Sequence, residues 1–169
     1  MRFLLGIALV LVSCGPTTEG RPGNVGPSAQ GRTPTAEPTL RAKMGTPVTF
    51  SDGLKISVLR LEEQKPTGAF FESTPHPGYR FVAVFVRAEN GSPQSVEIED
   101  RHFTLQDGQG VRHQYELFGP DRPDKFNGGN IAPGGTLAGA LSFEAPAGDA
   151  KLELIFEKVG YRQATFELF

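Results

Sequence analysis

The side chains best suited to metal binding or acid–base chemistry in this sequence are three histidines, His76, His102 and His113. Their spacing lacks the H-x-H or H-x-x-x-H patterns that place two imidazoles on one metal ion. His102 and His113 could still meet across a hairpin turning at Gly108-Gln109-Gly110, where cross-strand partners lie about 5 Å apart. Asp107 could then supply a third ligand. We favour the alternative, a pair of exposed histidines at a strand edge, and predict no metal or other cofactor.

Acidic side chains are concentrated in Glu97, Glu99, Asp100 and Asp107. They lack the alternating Asp/Asn and the terminal Glu of a calcium-binding loop. A solvated edge strand explains them better, because charges along an edge discourage pairing with another chain. The sequence contains neither a Gly-x-Ser-x-Gly elbow nor a glycine-rich phosphate loop opening a helix. We therefore predict that the protein is not an enzyme.

Cys14 is the only cysteine. It follows Met1-Arg2, an apolar run from Phe3 to Val12, and Ser13, which is the pattern of a secretory signal peptide. An apolar run of about ten residues is too short to span a bilayer. The stretch Leu11-Val12-Ser13-Cys14 resembles the bacterial lipobox, in which the cysteine is lipidated and becomes the mature N-terminus. The alternative is an ordinary signal peptide with a chance cysteine.

Lipidation would convert the Cys14 thiol into a thioether and so exclude nucleophilic catalysis by this residue. Acyl chains such as palmitate contribute about 0.8 kcal/mol per buried methylene, so two or three chains anchor a protein stably. We predict a signal peptide over residues 1–13 and a lipid-anchored protein of the bacterial cell envelope, facing outside the cytoplasm. Gly15, in place of Asp after the cysteine, resembles outer-membrane sorting if the organism is Gram-negative.

Composition divides the remaining chain into a tether and a folded domain. Residues 14–46 are rich in Gly, Pro, Thr and Ser and have little to bury, which predicts a disordered tether behind the lipidated cysteine. Residues 47–169 are predicted to form one domain around a single core. The formal net charge of −2 excludes the broad basic surface of a nucleic-acid-binding protein.

The strongest β-strand signal is the run from Phe81 to Asn90, where β-branched and aromatic residues follow one another without Gly or Pro. Alternate side chains of a strand point to opposite faces. The apolar face comprises Val82, Val84, Val86 and Ala88, and the mixed face comprises Ala83, Phe85, Arg87 and Glu89. Turn signals recur about every 8–12 residues, which predicts a two-sheet β-sandwich of about eight or nine strands without a helix.

Several strand-and-turn signatures of this sequence resemble the DUF4352 domain of bacterial lipoproteins. In chain order they are Asp52-Gly53-Leu54, Val82 to Asn90, Phe103-Thr104-Leu105 with Asp107-Gly108, Pro133-Gly134-Gly135 with Gly139, and Phe143-Glu144-Ala145-Pro146. The resemblance covers most of the chain and implies an immunoglobulin-like (telokin-like) sandwich related to secreted mycobacterial antigens. It implies no reaction, because the family is one of unknown function. Trp and paired cysteines are absent, which excludes the antibody subtype.

Two long loops, residues 64–79 and 118–130, carry aromatic residues that strand periodicity does not place in a core. One interpretation is that these rings fold back and plug one end of the sandwich. The other is a recognition surface, since binding residues are often carried by loops. The residues predicted for this partner-binding surface are Phe70, Phe71, Tyr79 and Phe126.

Two functional hypotheses follow. The first is a non-catalytic binding or scaffolding module with a protein partner in the cell envelope. The second is a small-ligand carrier, or an accessory subunit of an envelope enzyme, with a pocket between the 64–79 and 118–130 loops. The polar candidates for that pocket are Glu72, His76, Tyr79, Asp121 and Arg122. A flat loop surface favours the first hypothesis, and a deep concave site favours the second.

Replacing the predicted lipidation site tests the membrane anchor. We expect Cys14→Ser to leave an unlipidated precursor that moves out of the detergent phase in a partition assay. Wild-type protein should incorporate labelled palmitate, and the variant should not. A variant that still partitions with detergent and still incorporates the label would show that the lipobox interpretation is wrong.

Overall fold

The computed structural model describes residues 39–169. Cys14, the predicted signal peptide and most of the predicted tether lie outside the described residues. Within the described range the chain forms eleven strands and one short 3₁₀ turn at Asp100–His102. The strands are β1 (Leu40–Lys43), β2 (Val48–Thr49), β3 (Leu54–Gln64), β4 (Tyr79–Asn90), β5 (Val96–Ile98), β6 (Phe103–Gln106), β7 (Arg112–His113), β8 (Gly129–Ile131), β9 (Thr136–Pro146), β10 (Glu153–Phe156) and β11 (Ala164–Glu167).

The strands form two larger sheets and a small one. The five-stranded sheet has the order β1-β11-β10-β6-β7, the four-stranded sheet β2-β3-β4-β9, and β5 pairs with β8. One core joins the two larger sheets, and the ring of Phe50, directly after β2, lies 5.6 Å from that of Phe156 on β10. The predicted β-sandwich is confirmed. Its strand count exceeds the prediction because β1 and β8, of four and three residues, lie in segments that the sequence predicts to be a tether and a loop.

Strand β4 is the strand that the sequence predicted to be central. It pairs with β3 on one edge and with β9 on the other along most of its length. The predicted apolar face points into the core, where none of its side chains is more than 1% exposed. The members of that face are Val82, Val84, Val86 and Ala88. The face assignment of β4 is therefore confirmed.

The opposite face of β4 is covered by charged side chains. Phe85 is only 4% exposed because the Arg60 guanidinium lies 3.2 Å from the centre of its ring and that of Arg122 lies 4.7 Å away. Arg122 also bonds to Asp124, with Nε 2.9 Å from Oδ1. Aromatic rings attract cations over their faces, so two guanidinium groups bury this ring without an apolar layer.

Strand β1 corrects the predicted end of the tether. Leu40 pairs with Ala164 and Lys43 with Glu167 in a parallel arrangement, so residues 40–43 belong to the fold. The prediction of a tether reaching residue 46 is wrong for these residues. Half-buried Leu40 and Ala42 alternate with exposed Arg41 and Lys43. This period-two pattern is too short to stand out within a segment dominated by Gly and Pro.

The segment from Tyr115 to Phe126 covers the outer edge of β9. Tyr115 forms a bridge with Phe143, and Ala140 exchanges backbone hydrogen bonds of 2.8 Å with Asp124 and Phe126. Phe126 then enters the core, where it is 1% exposed. Its Cα would lie 2.7 Å from a Cβ on Gly139, so only glycine permits this approach. The segment protects an otherwise free edge of the sheet.

Two substitutions on β4 test its face assignment. Val84→Asp should unfold the domain, because it removes about 1.5–3 kcal/mol of apolar burial. An unpaired buried carboxylate adds several kcal/mol more, against a total stability of about 5–15 kcal/mol. Phe85→Asp should cost less, because Arg60 and Arg122 can pair with the new carboxylate. Denaturant midpoints that rank Phe85→Asp as the worse variant would reverse the assignment.

Candidate functional site

The structure does not bring His102 and His113 together. His113 lies opposite Leu105, and its Nε2 is 2.9 Å from the Asp107 carboxylate. His102 lies at the other end of β6, where its Nδ1 accepts a hydrogen bond from the Glu99 amide at 3.0 Å. Among residues 39–169, no group of three His, Cys, Asp or Glu side chains is placed to hold a metal ion.

Asp107 closes the turn between β6 and β7. Its carboxylate accepts hydrogen bonds of 2.9 Å from the amides of Gln109 and Val111 as well as the contact with His113. Burial works to raise the pKa of Asp107, but these hydrogen bonds outweigh it and lower the pKa. The residue therefore organises a hairpin. It lies apart from Glu97, which is exposed on the short strand β5.

The 64–79 loop is ordered at its tip by the carboxylate of Glu72. One oxygen, Oε2, accepts backbone hydrogen bonds from Thr67 at 2.6 Å, Gly68 at 2.7 Å and Ala69 at 3.3 Å. The Thr67 hydroxyl donates to the same oxygen at 3.0 Å. Burial works to raise the pKa of Glu72, but the hydrogen bonds from this turn outweigh it and lower the pKa. A single carboxylate thus fixes the backbone of the tip.

The ordered tip presents two aromatic side chains to solvent. Phe70 is 93% exposed and Phe71 is 79% exposed. Their ring centres lie 4.9 Å apart in an edge-to-face arrangement. Neither ring plugs the sandwich, so the structure favours the recognition interpretation for this pair. Large apolar side chains that remain exposed on an ordered loop are typical of interaction sites.

A second apolar pair lies beside this tip. The amide of Ser73 donates to the carbonyl of Phe118 at 2.8 Å, which ties the two long loops together. Leu117 is 61% exposed and Phe118 is 58% exposed. A groove of about 250 Å³ runs between the loops, with Asp121 and Lys125 also in its lining. We call the surface formed by Phe70, Phe71, Leu117 and Phe118 the aromatic groove.

The remaining predicted surface residues lie elsewhere. Phe126 packs in the core against Phe103, with ring centres 5.7 Å apart, so its predicted partner-binding role is wrong. The reason is that the chain crosses the edge of β9 at Gly139, and this crossing places the Phe126 side chain in the core. Tyr79 is 40% exposed but outside the aromatic groove, and its ring lies 6.1 Å from that of His113.

Sequence reasoning missed Leu117 and Phe118 as site residues. Leu117 lies just before the predicted 118–130 loop and four residues beyond the end of β7 at His113, so no strand periodicity places its side chain. The available signal was Gly119-Pro120 directly after the pair, because this dipeptide marks a turn that leaves neighbouring side chains at the surface.

The polar residues predicted for a ligand pocket do not converge. Of these five, Glu72 and Asp121 line the groove, and the Oε2 atom of Glu72 already accepts hydrogen bonds from the backbone of its own loop. His76 Nδ1 contacts the Glu144 carboxylate at 2.8 Å, at the far end of the loop. Arg122 lies over Phe85 and pairs with Glu62. The arrangement supports an apolar contact surface and holds no set of polar groups aimed at one bound molecule.

A family model described as a domain of unknown function, DUF4352, matches residues 42–165. This chain belongs to the DUF4352 family. The match begins within β1 and ends within β11, so the family domain and the sandwich coincide. Among curated proteins, none matches the chain.

Solved structures of other proteins share the fold. YcdA of Bacillus subtilis, a candidate lipoprotein, has a TM-score of 0.61 and 19% identity over 75% of this chain. This chain spans only 38% of the length of YcdA. MPT63, a secreted protein of Mycobacterium tuberculosis, has a TM-score of 0.61 and 15% identity, covering 78% of this chain and 98% of MPT63. YjhA of Bacillus subtilis has a TM-score of 0.60 and 16% identity, covering 75% of this chain and 99% of YjhA.

At these identities the likeness to solved structures shows the β-sandwich fold alone. In residues 39–169, no helix has the length and apolar character needed to cross a membrane. The DUF4352 family is one of unknown function, so its membership fixes the fold without naming a partner. The aromatic groove is therefore judged on its own geometry.

The lowered pKa of Glu72 predicts a pH dependence of the loop. Because the folded-state pKa lies below the ordinary value of 4.5, the carboxylate stabilises the tip above that pH. This contribution is lost as the pH falls through the lowered pKa. Hydrogen exchange at the amides of Thr67, Gly68 and Ala69, corrected for the intrinsic pH effect, should accelerate on acidification.

Glu72→Ala should remove the protection of these three amides at neutral pH. Glu63→Ala is the matched control, because Glu63 lies at the end of β3, next to the same loop, but pairs with Arg80 at 2.9 Å. The control should leave the tip amides unchanged. Equal protection in wild-type protein and Glu72→Ala would mean that the carboxylate does not order the tip.

Proposed function

We propose that this protein is a lipid-anchored cell-envelope protein whose sandwich is a non-catalytic binding module. Its contact surface is the aromatic groove. The observation that carries the proposal is the exposure of Phe70 and Phe71, at 93% and 79%, on a loop whose backbone is hydrogen-bonded in place. Aromatic side chains at fixed positions provide large contact areas and dominate interface hot spots.

The size of the exposed apolar surface supports a binding role. A phenylalanine buries about 150–250 Å² when it becomes covered, so the exposed fractions of Phe70, Phe71 and Phe118 correspond to about 350–575 Å². Leu117 adds to that area. The largest apolar patch on a typical monomer is about 300–600 Å² and is often functional. The aromatic groove alone reaches that range.

A small-ligand carrier is less well supported. Pockets that enclose drug-sized ligands usually measure about 300–1,000 Å³ and combine apolar walls with a few convergent polar groups. The groove measures about 250 Å³. Its polar lining residues are Glu72, Asp121 and Lys125. Two of them already contact backbone groups: Glu72 accepts from the Thr67 amide, and Lys125 donates to the Leu117 carbonyl. A protein surface that inserts side chains between the loops fits this shape better.

The position of the aromatic groove within the sandwich suits an envelope protein. Leu40, at the start of β1, and Asp52, in the turn before β3, line the same surface recess, so both lie at one end of the sandwich. β3 then runs eleven residues to Gln64, so the 64–79 loop leaves from the opposite end of the sandwich. In this proposal Cys14 is lipidated in the envelope membrane, which is the outer membrane in a Gram-negative organism, and the groove lies at the end of the sandwich opposite Leu40. The lipobox resemblance of Leu11-Val12-Ser13-Cys14 supports this anchoring.

A double substitution separates recognition from packing. Phe70→Ala/Phe71→Ala should leave the melting temperature unchanged, because both rings are exposed, while partner capture by cross-linking on intact cells is lost. One hot-spot truncation commonly costs about 2 kcal/mol or more of binding free energy. Val159→Ala is the matched control, because Val159 is 98% exposed but lies outside the groove.

Retained capture in the double variant would refute the proposed surface. A melting temperature lowered by many degrees would instead show that the two rings support the core. The control variant should capture as wild-type protein does, which excludes a general effect of removing exposed apolar side chains.

A further inference from the structure

We infer that the aromatic groove binds a second copy of this chain and forms a weak, twofold-symmetric dimer. The inference takes the groove as the contact surface and so rests on the proposed function. It adds the identity of one partner, because the groove carries the features that self-recognition requires.

The first feature is a protrusion and a recess on the same surface. A twofold interface uses one patch on both subunits, so that patch must be complementary to itself. Phe70, 93% exposed, protrudes from the tip, and the groove of about 250 Å³ lies directly beside it. Leu117 and Phe118 form part of the wall of that recess. A ring from each copy can therefore enter the recess of the other.

The second feature is a pair of opposite charges in the groove. Asp121 and Lys125 both line it, four positions apart in sequence. Lys125 Nζ donates one hydrogen bond, to the Leu117 carbonyl at 3.3 Å, and its ammonium keeps two further N–H groups. In the proposed dimer a twofold axis through the groove would bring Asp121 of one copy towards Lys125 of the other, twice in each dimer. Such complementary charges fix register and orientation more than they add affinity.

The third feature is the satisfied backbone of the tip. Glu72 already accepts hydrogen bonds from the amides of Thr67, Gly68 and Ala69. Covering the tip therefore removes these donors from water without leaving them unpaired. Unpaired buried amides are costly, and their absence at these three positions suits a surface that becomes covered. Because the tip is already ordered before binding, association also loses less conformational entropy.

The available area predicts that the dimer is weak and reversible. Two copies together offer about 700–1,150 Å² from the phenylalanines, just below the lower limit of about 1,200 Å² for stable interfaces. Attachment of all copies to one membrane through the proposed lipid anchor would raise the local concentration of copies. Effective concentrations in tethered systems reach the millimolar range, which suits a weak contact.

A bilayer fits this surface less well. Anionic membrane surfaces attract clusters of basic residues, each contributing about 1 kcal/mol. Residues 39–169 contain 14 basic and 17 acidic residues, a net charge of −3. Asp121 lies in the groove itself. The concave shape also matches an inserted side chain better than the plane of a membrane.

Photo-cross-linking of the full chain in its own membranes tests the dimer. A benzophenone amino acid replaces Ala69, which lines the groove, in two differently tagged copies expressed together. We expect an adduct of twice the chain mass that carries both tags. The same reagent at Ser51, exposed at the opposite end, should give no such adduct. Phe70→Ser/Phe71→Ser should lower the adduct about thirty-fold or more.

Charge reversal tests the twofold arrangement itself. Asp121→Lys makes both groove charges positive, and Lys125→Asp makes both negative, so each variant alone should lose most of its adduct. Expressed together, the two variants should recover a mixed adduct, because their grooves have opposite charges. This rescue requires a direct contact and would not follow from altered folding.

Several outcomes would overturn the inference. An adduct with a different protein and no doubly tagged dimer would refute self-association while leaving the proposed binding function intact. An adduct with lipid alone would identify a membrane contact and would contradict both. The absence of any adduct at position 69, with a folded and membrane-bound protein, would also contradict both. A dimer that forms equally in the charge variants would refute the twofold register.

Discussion

The double pairing of β4 is the constraint on which the rest of this structure depends. Both edges of the strand are hydrogen-bonded, to β3 and to β9, and its inner row is almost wholly removed from water. The strand therefore serves the core and offers no free edge to a partner strand. Long loops that leave from such a rigid frame are the places where a binding function can lie. Here the 64–79 loop leads directly into β4.

The covering of β9 explains why the second long loop presents apolar side chains. Backbone bonds to Ala140 hold residues 124 and 126 at the strand edge, and Phe126 passes over Gly139 into the core. The chain before that crossing has to run outside the sandwich, and it leaves Leu117 and Phe118 exposed. The hydrogen bond from Ser73 joins it to the aromatic tip. One edge-covering segment therefore both closes the fold and completes the groove.

The sequence predicted the sandwich and the two faces of β4 because alternating burial leaves a period-two pattern. It did not predict β1, whose four residues pair with a strand more than a hundred positions away. The exposure of Phe70 and Phe71 was left open between two interpretations, since a loop aromatic has no periodicity to place it. Phe126 was assigned to the surface, although its burial depends on a close approach to Gly139 that only the folded chain reveals.

Solvent accessibility of the phenylalanine rings tests the central claim most directly, namely that the fold holds an ordered aromatic tip in water. The measurement is the relaxation enhancement of ring protons by a soluble paramagnetic probe in dilute full-length protein. The account predicts strong enhancement for Phe70 and Phe71 and almost none for Phe126, which is 1% exposed. Protection of Phe70 and Phe71 as complete as that of Phe126 would contradict it.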